Sequence, residues 1–150
     1  MYQDTITLFN RTGAGDTWRA TVLPHVDLNA DQAALIAKYG AASKDKASLH
    51  IRYVPTAIGY SVEVDTDQLC TVKQPKEYTG ADDTITFRPA STGEVADFFM
   101  EGVWDGEPVI NDGDYDAGFF DHMSATRDGV YTITSVARYS VIPHFEILGR

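Results

Sequence analysis

The sequence is short of the residues that mark several protein classes. Its single cysteine, Cys70, excludes an intramolecular disulfide and a zinc site built from several thiolates. No apolar run reaches the roughly 20 residues needed to span a bilayer. The first residues, MYQDTITLFN, lack the basic and long apolar segments of a signal peptide. We therefore expect a protein that remains in the reducing cytoplasm where it is made and has no membrane partner.

Basic residues are also scarce: 12 Lys and Arg stand against 22 Asp and Glu, giving a net charge of −10. A field of this sign repels phosphate backbones and anionic membranes, so direct nucleic-acid binding is disfavoured. The 43% hydrophobic content is ordinary for a folded protein. We expect residues 1–150 to form a single domain with its own core.

Apolar and polar residues alternate with period two along much of the chain. This pattern is typical of half-buried antiparallel strands. The residues predicted to face inward are Ile6, Leu8, Trp18, Ala20, Val22, Leu49, Ile51, Tyr53, Ile58, Tyr60, Val62, Val64, Ile85 and Phe87. The pattern predicts a mainly β fold, largely antiparallel, closed as a barrel or stacked as a sandwich.

The last residues, VYTITSVARYSVIPHFEILGR, contain two more alternating runs with Pro143 between them. Proline lacks an amide donor, so Pro143 suits the break between two strands. In the second run Phe145 and Ile147 share one face. The first run places five residues on one face: Tyr131, Ile133, Ala137, Tyr139 and Val141. We expect a terminal strand pair that completes the sheet.

One to three short helices are predicted beside the strands. A capping box, Ser91 with Glu94, predicts the start of a helix within residues 91–104. A second helix lies within DYDAGFFDHMSATRDG and ends near Gly129. Residues 29–40 favour a helix from an Asn29 cap to Gly40, although an extended continuation of the sheet stays open.

The densest group of candidate catalytic or metal-binding side chains is NDGDYDAGFFDH. A calcium loop that starts at Asp112 would need glycine at the sixth position and glutamate at the twelfth. The sequence has Ala117 and Met123 there. A polar turn that caps the following helix is therefore the favoured interpretation. The alternative is a metal-dependent hydrolase that uses Asp112, Asp114, Asp116, Asp121 and His122.

Other signatures of catalysis are missing. RTGAGDTW lacks the GK[ST] ending of a phosphate loop and fits a hairpin turn. The four histidines, at 25, 50, 122 and 144, do not have HxxxH spacing. His50 and His144 fall on the polar faces of their predicted strands, which favours surface positions. No GxSxG elbow is present, and no neighbour of Cys70 lowers its pKa by an obvious route. We expect no enzyme activity and no cofactor.

Several segments together resemble a family. MYQDTITLFNR, GDTWRATVLPHVDLN, AKYGAASKDKASLHIRY, ITSVARY and PHFEILGR are similar to small structural proteins of tailed phages and prophages of Gram-positive bacteria. Those proteins are placed among head–tail connector, or minor capsid, components. The resemblance covers nearly the whole chain and carries no catalytic signature. It implies a β-barrel or sandwich like the stopper proteins of phage necks.

The resemblance implies a virion protein, made in the bacterial host cytoplasm, that forms a homo-oligomeric ring at the head–tail junction. The ring docks to portal-adaptor, tail or other neck proteins, and the isolated chain can be a monomer. DNA passes nearby without specific binding, because an acidic wall repels it. The expected contact or channel residues lie on three polar loops: Arg11, Asp16, Lys73, Lys76, Glu77, Asp82, Asp112, Asp114 and Asp116.

A further alternative is a barrel that binds a small ligand. It requires an apolar cavity lined by Tyr60, Tyr131 and Phe145. If these rings pack on one another instead, the cavity is lost.

Overall fold

Antiparallel strands make up most of the regular structure in residues 2–12, 16–41, 45–91 and 95–150, the part of the chain described by this computed structural model. The strands are β1 (Asp4–Thr12), β2 (Thr17–Asn29), β3 (Ala47–Arg52), β4 (Val54–Thr56), β5 (Gly59–Glu63), β6 (Leu69–Val72), β7 (Thr84–Ile85), β8 (Asp97–Glu101), β9 (Val109–Asn111), β10 (Val130–Tyr139) and β11 (His144–Gly149). The α-helices are α1 (Gln32–Tyr39) and α2 (Phe119–Thr126), and Asp112–Asp114 form one turn of 3-10 helix. The predicted mainly β class is confirmed.

Six strands close into an antiparallel barrel in the order β1-β8-β10-β11-β3-β2, because β2 pairs with both β1 and β3. Closure satisfies backbone groups that an open sheet would leave at its edges. β9 pairs with the start of β2 beside the ring. The second sheet has the order β4-β5-β6-β7 and is antiparallel except between β6 and β7. The structure is therefore a barrel with a side sheet.

Of the two buried apolar clusters found among the described residues, the larger fills the barrel interior. Ile6, Leu8, Leu49 and Ile51 are buried there as predicted. Phe145 and Ile147 join them from β11, which confirms the predicted terminal strand pair. The side sheet contributes Val62, Cys70 and Ile85 to the same cluster, and Phe87, just after β7, is buried with them. The side sheet and the barrel therefore share one core.

A second cluster, rich in aromatic rings, lies on the outer side of β1, β2 and β8. Phe9 and Phe98 stack with ring centroids 4.7 Å apart, and Phe119 of α2 contacts both rings. Trp18 belongs to this cluster with Ala20 packed against it, whereas Leu23 and Val26 of the same strand belong to the barrel interior. The predicted face of Trp18, Ala20 and Val22 is thus only partly correct, because Trp18 is buried outside the barrel and the other two are half-buried.

The helix predicted within residues 91–104 is wrong, because Asp97–Glu101 is the strand β8. Glu94 of the proposed capping box lies outside the described residues. Phe98 and Met100 face the aromatic cluster, while Phe99 faces the barrel. A strand buried on both faces has a continuous apolar run, which periodicity alone does not distinguish from a helix.

Both other predicted helices are present. α1 begins after Asp31, whose Oδ1 accepts a 2.9 Å hydrogen bond from the Ala33 amide. Asn29, the predicted cap, instead accepts from the Asp31 amide. The helix ends at Gly40, which has a φ of 89°. Local capping signals therefore decide the ambiguity of residues 29–40 in favour of a helix.

The face predicted for β10 is only partly correct. Ile133 is fully buried, but a register shift between Ile133 and Ser135 inserts one extra residue opposite β11. Val136 then packs against the core, and Ala137 and Tyr139 become exposed. Ile58, predicted to face inward, lies in the turn before β5 and is 75% exposed.

Neither helix in the described segments has the length and hydropathy required to span a bilayer.

Replacing Ile147 with alanine tests whether β11 lies in the barrel wall. Ile147 is fully buried, so we expect the free energy of unfolding to fall by about 2–5 kcal/mol. The control Val141→Ala removes methyl groups from a side chain that is 95% exposed. It should change the free energy by less than about 0.5 kcal/mol. Urea denaturation measures both values, and equal losses in the two variants would contradict the assigned register.

Candidate functional site

The predicted contact segment 73–83 lies against the end of the β1–β2 pair. Gly80 is so close to Thr12 that a Cβ at position 80 would lie 3.1 Å from the Thr12 Cγ2. Asp82 accepts a 2.7 Å hydrogen bond from Arg19 of β2. The segment therefore belongs to the same end of the molecule as the RTGAGD loop, of which residues 13–15 lie outside the described residues.

Asp112 joins the third predicted loop to this end. Its Oδ1 accepts 2.9 Å hydrogen bonds from the Trp18 indole and the Phe119 amide, and Arg11 lies 3.7 Å from its Oδ2. The Phe119 amide and the Trp18 N–H hold the pKa of Asp112 below its usual value, with a smaller effect of Arg11, and outweigh burial. The Asp112 amide donates to the Asp16 carbonyl at 2.8 Å. Asp112 thus caps α2, as the turn interpretation predicts.

We call this arrangement of three loops around the β1–β2 pair the acidic end. Arg11, Asp82 and Asp112 make the contacts described above. The other predicted contact residues there are exposed or half-buried: Asp16, Lys73, Lys76, Glu77, Asp114 and Asp116.

The five side chains of the proposed hydrolase site do not converge. Asp112 is held by Trp18 and Phe119, and the His122 ring packs on Tyr115 at 4.6 Å. Among residues 2–12, 16–41, 45–91 and 95–150, no three potential metal ligands from this loop lie close enough to share an ion. The loop geometry therefore does not favour the hydrolase alternative.

The three rings required by the ligand-binding alternative do not line one cavity. Tyr60 and Phe145 meet edge to face at 6.2 Å, and both contact Tyr53. Tyr131 packs against Phe99 instead, at 5.5 Å. The rings pack on neighbouring aromatic side chains, and this arrangement lends the alternative no support.

A polar cluster on the outer wall of the barrel was not predicted as a site. His50 of β3 lies directly opposite Glu146 of β11, and His144 precedes Glu146 by two positions on the same face. The two imidazole rings stack at 5.3 Å, and donor atoms of the three side chains lie within 4.8 Å of one another. The predicted polar faces of both histidines are correct, but their proximity depends on the register of two strands distant in sequence.

Helix α1 covers the carboxylate of this cluster. Lys38 Nζ lies 3.4 Å from both oxygens of Glu146, and the Tyr39 hydroxyl donates to the same carboxylate. Burial raises the pKa of Glu146, but Tyr39, Lys38 and His50 together bring the pKa below its usual value. Burial is the largest of the effects that lower the pKa of His50. Neutral pH therefore favours a neutral His50 beside an ionised Glu146.

Four exposed apolar side chains lie in or near the turn between β10 and β11. Val141 and Ile142 are 95% and 70% exposed, and Val54 and Leu69 are each 54% exposed. We call these four residues the tip patch. A groove of about 550 Å³ borders it, with Val54, Leu69 and Ile142 among its lining residues. The Tyr53 hydroxyl supports the hairpin by donating to the Tyr139 carbonyl at 2.9 Å.

The fold defines a small antiparallel β-barrel protein with a side sheet and an outer aromatic cluster. The chain belongs to a family of unknown function, DUF6751, whose model matches residues 1–150. Comparison with curated proteins and with solved structures gives no significant match.

Replacing Asp112 with alanine tests its capping role. Loss of the acceptor leaves the Trp18 N–H and the Phe119 amide without their partner, so we expect the free energy of unfolding to fall by about 1–3 kcal/mol. The control Asp114→Ala removes an exposed carboxylate from the same loop and should have little effect. Chemical denaturation measures both.

The effect of Asp112→Ala should also depend on pH. The pKa of Asp112 is lower in the folded protein than in the unfolded chain. The ionised carboxylate therefore stabilises the fold fully at pH values above the pKa of an unfolded aspartate, about 3.9. This stabilisation is lost as the pH falls through the lower pKa that Asp112 has in the folded protein. The difference between wild type and variant should therefore shrink in strong acid. A difference that grows below pH 4 would contradict this assignment.

Proposed function

We propose that this protein is a structural subunit of the head–tail connector of a tailed phage or prophage. It acts by joining a ring of identical subunits and by docking to portal-adaptor and tail proteins, without catalysing a reaction. Its place of action is the virion, after synthesis in the bacterial host cytoplasm. The observation that carries the proposal is the tip patch.

The tip patch has the character of a protein contact surface. Single exposed aliphatic side chains are ordinary, whereas here Val54, Leu69 and Ile142 line one groove, as is typical of an interaction site. Val141 and Ile142 are adjacent residues at the end of a hairpin, and a monomer gains nothing from holding both in water. In a cyclic ring each subunit presents two different surfaces to its neighbours. We assign the tip patch to one of these subunit contacts.

The net charge of the chain favours assembly of the subunits on a template over their spontaneous association. The net charge of −10 makes isolated subunits repel one another, so a contact of modest apolar area is insufficient alone. Docking to a portal-adaptor complex would hold the subunits side by side and raise their effective concentration. This agrees with a subunit that is monomeric when purified and ordered into a ring in the particle.

The acidic end suits a surface that faces passing DNA. Asp16, Asp114 and Asp116 are exposed there, while Asp82 and Asp112 are paired with Arg19 and Arg11. Fixed negative charges repel phosphates, so DNA would pass without being bound. The resemblance of MYQDTITLFNR, ITSVARY and PHFEILGR to phage neck proteins supports the same assignment.

Complementation of a lysogen that lacks the gene tests the proposal. Deletion should yield separated heads and tails after induction, and the wild-type gene should restore joined, infectious particles containing the chain. The double variant Val141→Asp/Ile142→Asp places two charges on the tip patch and should fail to restore them. Electron microscopy, plaque titre and mass spectrometry of purified particles measure these outcomes.

The matched control is Ser124→Asp/Ala125→Asp, which adds the same two charges at exposed positions of α2. It should complement like wild type. Circular dichroism and Tm of each purified variant establish that it is folded. Joined, infectious particles from the deletion strain would refute the connector role. Full complementation by the folded tip variant would refute the assignment of the tip patch.

A further inference from the structure

The outer wall of the barrel holds two imidazoles and one largely buried carboxylate side by side. Donor atoms of His50, His144 and Glu146 lie within 4.8 Å of one another, and Glu146 is 9% exposed. The Glu146 carboxylate lies beside the Lys38 ammonium and accepts a hydrogen bond from Tyr39, so a metal ion there would replace the charge that Lys38 supplies. We propose that His50, His144 and Glu146 bind one divalent transition-metal ion of the Zn²⁺ type. This inference is independent of the connector role.

The donor set selects this class of metal. Imidazole nitrogens suit Zn²⁺ and its neighbours in the first transition row, and two histidines with one glutamate form a recognised three-ligand zinc set. Ca²⁺ and Mg²⁺ prefer oxygen donors and would gain little from His50 and His144. Three protein ligands leave a further coordination position for water or for a group from a partner.

The two histidines are held by neighbours that leave a nitrogen free for a metal. His144 Nδ1 lies 2.7 Å from the Ile142 carbonyl, an acceptor only, so Nδ1 carries the proton and Nε2 keeps its lone pair. His50 Nε2 lies 3.3 Å from the Ser48 hydroxyl. This hydroxyl can accept an Nε2–H and leave Nδ1 with its lone pair. Such outer contacts orient histidine ligands in metal sites.

The three side chains need only a small closure to bind. With Zn–N bonds of about 2.0–2.1 Å, tetrahedral donors lie about 3.3 Å apart. His50 and Glu146 are directly opposed on neighbouring strands, where Cβ atoms lie about 4.5–5.5 Å apart, so the donors have to approach by only about 1.5 Å from the 4.8 Å limit.

The Lys38 ammonium must move away from Glu146 when the ion binds. Its ammonium contacts both oxygens of Glu146 at 3.4 Å, where it supplies the compensating charge. The Lys38 side chain is 52% exposed, so it can swing into water and regain hydration. A divalent ion then replaces a single positive charge beside the carboxylate.

The test is titration of the purified, chelator-treated chain with ZnCl₂ by isothermal calorimetry and by thermal unfolding. One ion should bind per chain. At a free Zn²⁺ concentration about a hundred times the dissociation constant, Tm should rise by roughly 5–10 °C. The variant His50→Gln/His144→Gln should weaken binding by at least about 100-fold, since even outer-contact replacements cost 10–100-fold.

The matched control is His25→Gln/His122→Gln, which removes the same number of imidazoles from exposed positions and should bind like wild type. A second control, Asp114→Asn/Asp116→Asn, should also retain binding. Long-range ¹H–¹⁵N spectra of the wild-type protein should show metal-dependent shifts of the His50 and His144 ring nitrogens. These spectra show whether His50 and His144 bind the metal even if the double histidine variant does not fold.

Three results would overturn the proposal. One is the absence of both heat and Tm shift on adding Zn²⁺ to the wild-type protein. Another is undiminished binding by folded His50→Gln/His144→Gln. The third is loss of binding in Asp114→Asn/Asp116→Asn, which would move the site to the 112–122 loop.

Discussion

The change of partner along β2 is the constraint on which the barrel depends. One edge of β2 pairs with β1, while the opposite edge pairs first with β9 and then, at Asp27–Asn29, with β3. Between these segments an extra residue interrupts the β1 register, and His25 adopts a φ of 54°. The bulge lets both Leu23 and Val26 enter the barrel interior. β2 thereby belongs to the ring through β1 and β3 and to the outer layer through β9.

Closure has a second consequence, which is that β1 and β8 are buried on both faces. Their inner residues fill the barrel, and Phe9, Phe98 and Met100 pack against α2 outside it. Asp112 holds this outer layer in place because it binds Trp18 of β2 and the first amide of α2. Within the 112–122 loop, Asp112 is therefore part of the scaffold, while Asp114 and Asp116 remain exposed.

Elsewhere on the outer wall of the barrel lie side chains that take no part in packing the core. His50, His144 and Glu146 form a polar cluster under α1, and the nearby hairpin exposes Val141 and Ile142. The two regions are linked, because the Ile142 carbonyl is the partner of His144 Nδ1. An ion bound at His144 would thus restrain the hairpin that carries the tip patch. The proposed metal site and the proposed subunit contact meet at this turn.

Local signals in the sequence determined the elements whose energetics are local. Asp31 and Gly40 delimit α1, Phe145 and Ile147 mark a half-buried strand, and Asp112 caps the following helix. The tertiary structure alone decided that the run around Phe98 is a strand, because a segment buried on both faces has no period. It also decided the β10 bulge and the pairing of His50 with Glu146. Register between distant strands depends on which faces find apolar partners when the barrel closes, and no short stretch of sequence contains that information.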